Sequence, residues 1–339
     1  MKKYFITGIF ILSILAFKKG MVGDKRYSSA DINNAVNKSL PLLQRSSHEF
    51  LENTATCHSC HNQGIGTVAF AFAREKGFNV SEAVIREALD STCNFWKTND
   101  NMRELYEQND PVATVITGNY DMWALSSNHY KADKTIRLLA IDIMRKQTLD
   151  GSWMSPGQRP PLEYYSFTAT ALTVRNMQYY VPAILRDEMQ QRIDKGRNWL
   201  MQTKPEANEE KAFQLLGLTW SNGNKAFIAK QAKKLLDAQH ADGGWSQLDS
   251  LKSDSYATGQ SLFALNQSGQ LDISSAVYQK AISFLLSTQL TDGSWLVKTR
   301  SYPFVPYVTS GFPHGDHQFI SAAGTNWAII ALTLASSNN

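Results

Sequence analysis

The pattern Gln-x-x-Asp-Gly-x-Trp occurs three times with identical internal spacing, and this repetition constrains the fold more than any other feature of the chain. The copies run from Gln147 to Trp153, from Gln239 to Trp245 and from Gln289 to Trp295. The last two begin 50 residues apart and the first two 92 apart, close to twice that period. Such a period marks a repeated supersecondary unit. The apolar positions before the second copy are Ile228, Ala232, Leu235 and Leu236, and those before the third are Val277, Ala281, Phe284 and Leu285. Both sets follow i, i+4, i+7, i+8, which is one buried stripe on a helix whose other side is wet. The Asp-Gly step then stops the helix, because glycine tolerates the left-handed backbone of a turn. The glutamine is expected to bond backbone groups left free at the turn, and the tryptophan to pack over it.

Between these copies lie helices of another kind. Residues 166–179, 207–222, 255–267 and 321–335 mix Ala, Gly, Ser and Thr with large apolar residues around most of their circumference, as helices buried on most sides do. Few runs alternate with period two, so no sheet is expected. Two concentric layers follow. Inner segments start near Gly64, Pro111, Ser166, Ala207, Ser255 and Ser321, and outer ones near Ser81, Lys131, Leu185, Lys225 and Ser274. Residues 31–51 supply the sixth outer helix. The expected fold is all-α, an α6/α6 toroid spanning 31–339 as a single domain. An open solenoid of helix pairs is the alternative. The six-plus-six count and the lack of a polar capping repeat favour closure.

The three turns resemble the QW repeats of squalene–hopene cyclases and related prenyltransferase-type toroids. Ser253-Asp-Ser-Tyr-Ala-Thr-Gly-Gln260 and Gly324-Thr-Asn-Trp327 also resemble inner-helix starts of that superfamily. The similarity covers about residues 64–335 and speaks for architecture more than for activity.

The N-terminus reads as an export signal. Lys2 and Lys3 precede an apolar run over 4–17, shorter than the about 20 residues of an ordinary membrane span. Residues 1–20 are therefore a cleaved signal or a retained anchor holding the protein to the membrane through 4–17, and 21–30 a polar tether. Localisation is expected to be periplasmic or outward-facing. The formal charge of +4 is accounted for by Lys2, Lys3, Lys18 and Lys19, so the body of the protein has no electrostatic case for binding nucleic acid.

Two of the three cysteines fall in Cys57-His-Ser-Cys60-His61. Cys-x-x-Cys-His resembles the c-type haem attachment motif over these five residues. Two thiols at this spacing can form thioethers to the two vinyl groups of one porphyrin edge, with the adjacent histidine under the iron as axial ligand. Haem c is the expected cofactor, bound covalently through Cys57 and Cys60 with His61 on the iron. The alternatives are a zinc or iron site drawing on His58 and Cys93, a redox-active dithiol, or a chance pair. Cys93 reads as a buried helix cysteine. Met102, Met122, His48 and His129 are equally open as sixth iron ligands.

In an alternating ring every outer-to-inner connection lies on the same face. The 57–61 loop, the three tryptophan turns, Glu163-Tyr164-Tyr165, Asp254-Ser-Tyr256 and His314-Gly-Asp316-His317 are therefore expected around one mouth. The resemblance implies acidic or metal-binding catalytic residues there, yet the chain lacks both the Asp-x-Asp-Asp and the Asp-Asp-x-x-Asp clusters of terpene cyclases. The catalytic candidates that remain are Asp254, Glu163, His314 and His317, although Asp254 can equally be a helix cap. The expected function is redox: electron transfer to a partner protein, or haem-assisted oxidation of a small apolar ligand in the ring. An isoprenoid cyclase or transferase, and a non-catalytic binding ring, are the alternatives. A haem-stained denaturing gel of protein made in a host competent for c-type maturation should show a stained band that Cys57→Ala abolishes; an unstained wild-type band contradicts the haem expectation.

Overall fold

The computed structural model describes residues 27–54, 60–98, 101–103, 114–155, 157, 159–302 and 308–336, with the backbone alone for Cys60 and His61. The described residues form twelve α-helices and no strand. The outer helices are α1 (Ser29–Asn53), α3 (Glu82–Lys97), α5 (Lys134–Arg145), α7 (Arg186–Gln202), α9 (Lys225–Asp237) and α11 (Ala276–Thr288). They alternate with inner helices α2 (Ile65–Glu75), α4 (Thr114–Ser127), α6 (Ser166–Tyr180), α8 (Asn208–Trp220), α10 (Ser255–Gln267) and α12 (Gln318–Ala335). Each inner helix packs against the next, and α12 packs against α2, so the ring closes. The expected α6/α6 toroid is the observed fold. The inner helices are buried nearly all round, while outer helices such as α9 bury one stripe, here Ile228, Gln231, Ala232 and Leu235. The α12 segment is apolar enough to cross a membrane, but 83% of it is buried as the sixth inner helix.

The repeated turn works through every one of its fixed residues. Trp153, Trp245 and Trp295 donate their indole N–H back to the outer helix just ended, at Ile143 O, Leu235 O and Leu285 O over 2.7, 2.7 and 2.9 Å. Their backbone N–H groups bond forward to Thr170, Thr258 and Thr325 of the inner helix that follows. The aspartate carboxylates accept from the backbone N–H two residues on, holding the bend. The glutamines do more than expected. Each bonds the carbonyl of its own turn glycine and reaches a carbonyl of the next outer helix: Gln147 to Arg192, Gln239 to Val277 and Gln289 to Ala35. The last of these joins the end of the chain to its start. Gly293 sits there at φ +92°, and a Cβ would meet the Lys38 carbonyl at 2.5 Å, so only glycine fits.

Where the repeat is missing, other contacts join the layers. Trp96 of α3 donates its indole N–H to the buried Asp121 carboxylate of α4 at 2.7 Å. Cys93 on α3 is buried, as expected of a core cysteine.

Candidate functional site

Outer-to-inner connections do gather at one mouth. In the segment joining α11 to α12, Arg300 donates to Gln247 Oε1 at 2.9 Å, in the segment before α10, and to the Tyr165 hydroxyl at 3.1 Å, in the segment before α6. Ser301 donates to the Pro160 carbonyl at 2.9 Å. Asn53, at the end of α1, reaches the Thr309 carbonyl at 3.4 Å. Cys57 and His58 lie outside the described residues, as do the apolar run 4–17, read above as an export signal, and the lysines around it. Cys60 and His61 open a π-helical turn, Cys60–Gly64, that runs into α2 and packs against α4 and α12.

The four candidate residues are each held by a partner of their own. Asp254 caps α10, accepting from the Ala257 N–H at 2.8 Å and from Gln247 Nε2 at 2.9 Å. Gln247 thereby links Asp254 to Arg300. Burial pushes the Asp254 carboxyl up to about 6, against the lowering effect of its hydrogen bonds and of Arg300. Glu163 pairs with Arg159 at 2.7 Å. His314 shares a 2.8 Å hydrogen bond with Ser294 in the third tryptophan turn, and burial holds it below the ordinary histidine value, toward the neutral form. His317 Nδ1 accepts from the Thr299 N–H at 3.3 Å. Among the described residues no three His, Cys, Asp or Glu side chains converge as a metal site would require.

The ring interior holds an acid that motif reading overlooked. Glu209, in the first turn of α8, is 3% exposed. Its carboxyl accepts from the Thr168 hydroxyl of α6 at 2.6 Å and from the Tyr256 hydroxyl of α10 at 2.8 Å. Gln260 lies beside this pair, buried, and its side chain favours the ionised form of Glu209. Tyr120 of α4 is near enough for its phenol to act on that of Tyr256 across the ring. The neighbouring Glu210 does the capping, accepting from the Ala207 and Glu206 N–H groups at 2.9 and 2.7 Å. A bond from the Asn208 N–H to the Gln247 carbonyl pins this end of α8 to the mouth. With Glu210 occupied at the helix end, Glu209 is free to face inward.

One turn further into the ring the lining becomes aromatic. Residues three or four apart share a helix face, so Tyr120 leads to Trp123, Glu209 to Phe213 and Gln260 to Phe263. Trp123, Phe263 and Trp327 meet with ring centroids 5.6–5.7 Å apart. Phe213 stands edge-on to Trp327 at 6.2 Å and Phe72 to Phe263 at 5.8 Å. Five of the six inner helices contribute, so a polar layer with one carboxyl sits on an aromatic floor.

Burial pushes Glu209 up to about 7, against the lowering effect of its two hydroxyl donors and of Arg300. Desolvation wins because the carboxyl has no cation in direct contact. The arrangement therefore sets a carboxyl that keeps its proton in mildly acidic solution beside a packed aromatic cluster.

No protein-family profile matches the chain, and no curated protein matches it in sequence. Solved structures do. A variant of the type II terpene cyclase MstE from Scytonema, in complex with geranylgeranyl dihydroxybenzoate, aligns at a TM-score of 0.56 and 14% identity over 91% of this chain and 98% of that one. Ligand-free MstE aligns at 0.54 and 13%, over 91% and 99%. A protein from Actinoplanes aligns at 0.51 and 15%, over 87% and 99%. At these identities the likeness establishes the fold, a terpene-cyclase-like α/α toroid.

Glu209 gives stability a definite pH dependence. Between the ordinary glutamate value of 4.5 and about 7, the folded state keeps a proton that the unfolded chain has lost. Stability is therefore highest below this window and falls as pH rises through it. Glu209→Gln keeps the shape and removes the titration. Urea unfolding at a series of pH values should show wild type losing about 3 kcal/mol relative to this variant across the window. Parallel curves would show that Glu209 has an ordinary proton affinity.

Proposed function

We propose that this chain is a terpene-cyclase-like enzyme that folds a linear isoprenoid inside its ring and starts cyclisation by proton transfer from Glu209. The observation that carries the reading is the buried Glu209 carboxyl one helical turn above the Trp123, Phe213, Phe263 and Trp327 faces. The fold likeness to a type II terpene cyclase supports it.

The chemistry follows from the two layers. Glu209 gives its proton to a terminal alkene carbon; the π bond breaks, a C–H bond forms, and a carbocation is left on the neighbouring carbon. Internal alkenes then attack in turn, each forming a ring C–C bond and moving the positive charge along the chain. The aromatic faces stabilise that charge through their quadrupoles, an effect that grows when water is excluded. Loss of a proton from the last cation ends the reaction and restores the proton count. The Thr168 and Tyr256 hydroxyls stabilise the Glu209 carboxylate after transfer, so they strengthen the acid that burial weakens. Arg300, Gln247 and Asp254 act as positioning residues that hold the mouth together.

A second reading rests on a separate observation, the sequence Cys57-His-Ser-Cys60-His61. In it the chain is exported and carries covalent haem c at the same mouth, with His61 as axial ligand and a redox partner protein. Bound haem would supply electron transfer or oxidation, while the ring would bind the apolar ligand. Glu209 and its Thr168 and Tyr256 partners lie on α8, α6 and α10, so the acid does not depend on the 57–61 segment.

The enzyme reading is tested by incubating the full chain with geranylgeraniol, squalene and geranylgeranyl dihydroxybenzoate in deuterated water. Mass spectrometry should find a cyclised product carrying one deuterium, and Glu209→Gln should form it about 1,000-fold more slowly. Product formed at an unchanged rate by that variant, or no product from any of the three by wild type, contradicts the proposal.

A further inference from the structure

The opposite mouth of the ring, where inner helices end, carries a basic pocket that the acid chamber does not use. It has a volume of about 680 Å³ and lies between the end of α4, the start of α5 and the end of α6. Lys131, Arg137 and His129 line it, as do Tyr179 and Tyr180. No carboxylate lines it. Neither Lys131 nor Arg137 has an ion-pair partner among the described residues, and the nearby Asp133 is taken by Lys97 at 2.9 Å.

A half-buried group, Arg175, and a buried one, Tyr180, stand behind this lining. Arg175 donates to Ser126 Oγ at 2.7 Å and to Asn176 Oδ1 at 3.0 Å, and its guanidinium lies 4.7 Å from the ring centre of Tyr179. Trp123 and Trp220 flank the same guanidinium at 5.7 and 5.9 Å. Its partners are thus neutral groups and π faces, with no acid among the described residues. A cation withdrawn from water without an anion is expensive, and aromatic faces recover only part of that. The second group is the Tyr180 hydroxyl. Tyr180 is 4% exposed, lines the pocket, and its hydroxyl has no hydrogen-bond partner. A buried hydroxyl ordinarily finds one.

We propose that this pocket binds the phosphate group of a small organic ligand. Two positive charges, Lys131 and Arg137, line it beside Tyr180 with its unpartnered hydroxyl, and a third, Arg175, lies behind the lining against Ser126 and Tyr179. The C-terminal ends of α4 and α6 also point at the pocket and oppose an anion, but each carries only about half a negative charge. The side chains outweigh them. A phosphate, with up to two charges and three acceptor oxygens, uses more of these donors than a carboxylate does. Val181, Pro182 and Ala183 form an apolar wall for the organic part.

The test titrates the full chain with inorganic pyrophosphate by calorimetry, using wild type, the double variant Lys131→Gln/Arg137→Gln and Tyr180→Phe. Lys131 and Arg137 are exposed, so the double variant should keep the wild-type circular dichroism spectrum. Wild type should bind saturably, the double variant at least about tenfold more weakly and Tyr180→Phe several-fold more weakly. Vesicles of phosphatidic acid distinguish the source of the phosphate. Flotation that pyrophosphate competes away assigns the group to a lipid headgroup; no flotation, with saturable pyrophosphate binding, assigns it to a free phosphate. Absence of saturable binding to both probes, or binding that the double variant leaves unchanged, overturns the proposal.

Discussion

The tryptophan turn is the contact on which this ring depends. One indole N–H fixes the turn to the helix behind it, one backbone N–H fixes it to the helix ahead, and one glutamine amide carries it sideways to the next outer helix. These are buried or half-buried hydrogen bonds, and leaving their partners unmade costs more than making them gains. The geometry therefore admits little freedom in how successive helix pairs rotate. Three such turns set the rotation through the second half of the chain, and the glutamine of the last one grips α1. Closure then fixes a second consequence: all inner helices start at one mouth and end at the other.

That polarity sorts the chemistry of the two ends. At the starting mouth, segments distant in sequence share Arg300, Gln247 and Tyr165, and an acid in the first turn of α8 is enclosed between neighbours. The proton affinity of Glu209 is a contest in which its two hydroxyl donors favour the carboxylate and loss of water favours the acid, with loss of water the larger effect. At the ending mouth the balance is reversed. Arg175 keeps its charge among aromatic faces, and burial draws its proton affinity down to about 10 without neutralising it at physiological pH.

The architecture was readable in the sequence because each repeated turn position within the chain has one physical task. Gly293 must take a left-handed backbone, Trp295 must reach a carbonyl, and the stripe ending in Phe284 and Leu285 must face the core. The site was less readable. Asp254 is legible as a helix cap, and it is one. Glu209 was not, because Glu209-Glu210 reads as an ordinary acidic first turn and only the fold shows that Glu210 alone satisfies the helix end. A signal did exist: Glu209, Phe213 and Leu216 fall at i, i+4 and i+7, on one face of the helix. Of the two histidines picked by residue type, His314 engages Ser294 through Nε2 and His317 engages Thr299 through Nδ1.

The central claim is that the folded ring stores a proton on a buried carboxyl. Infrared difference spectroscopy of wild type minus Glu209→Gln, at about pH 6 where ordinary carboxyls are ionised, observes that proton directly. The account predicts a protonated-carboxyl C=O band in the wild type that shifts in deuterated water and is missing from the variant. A difference spectrum containing only carboxylate bands would contradict it.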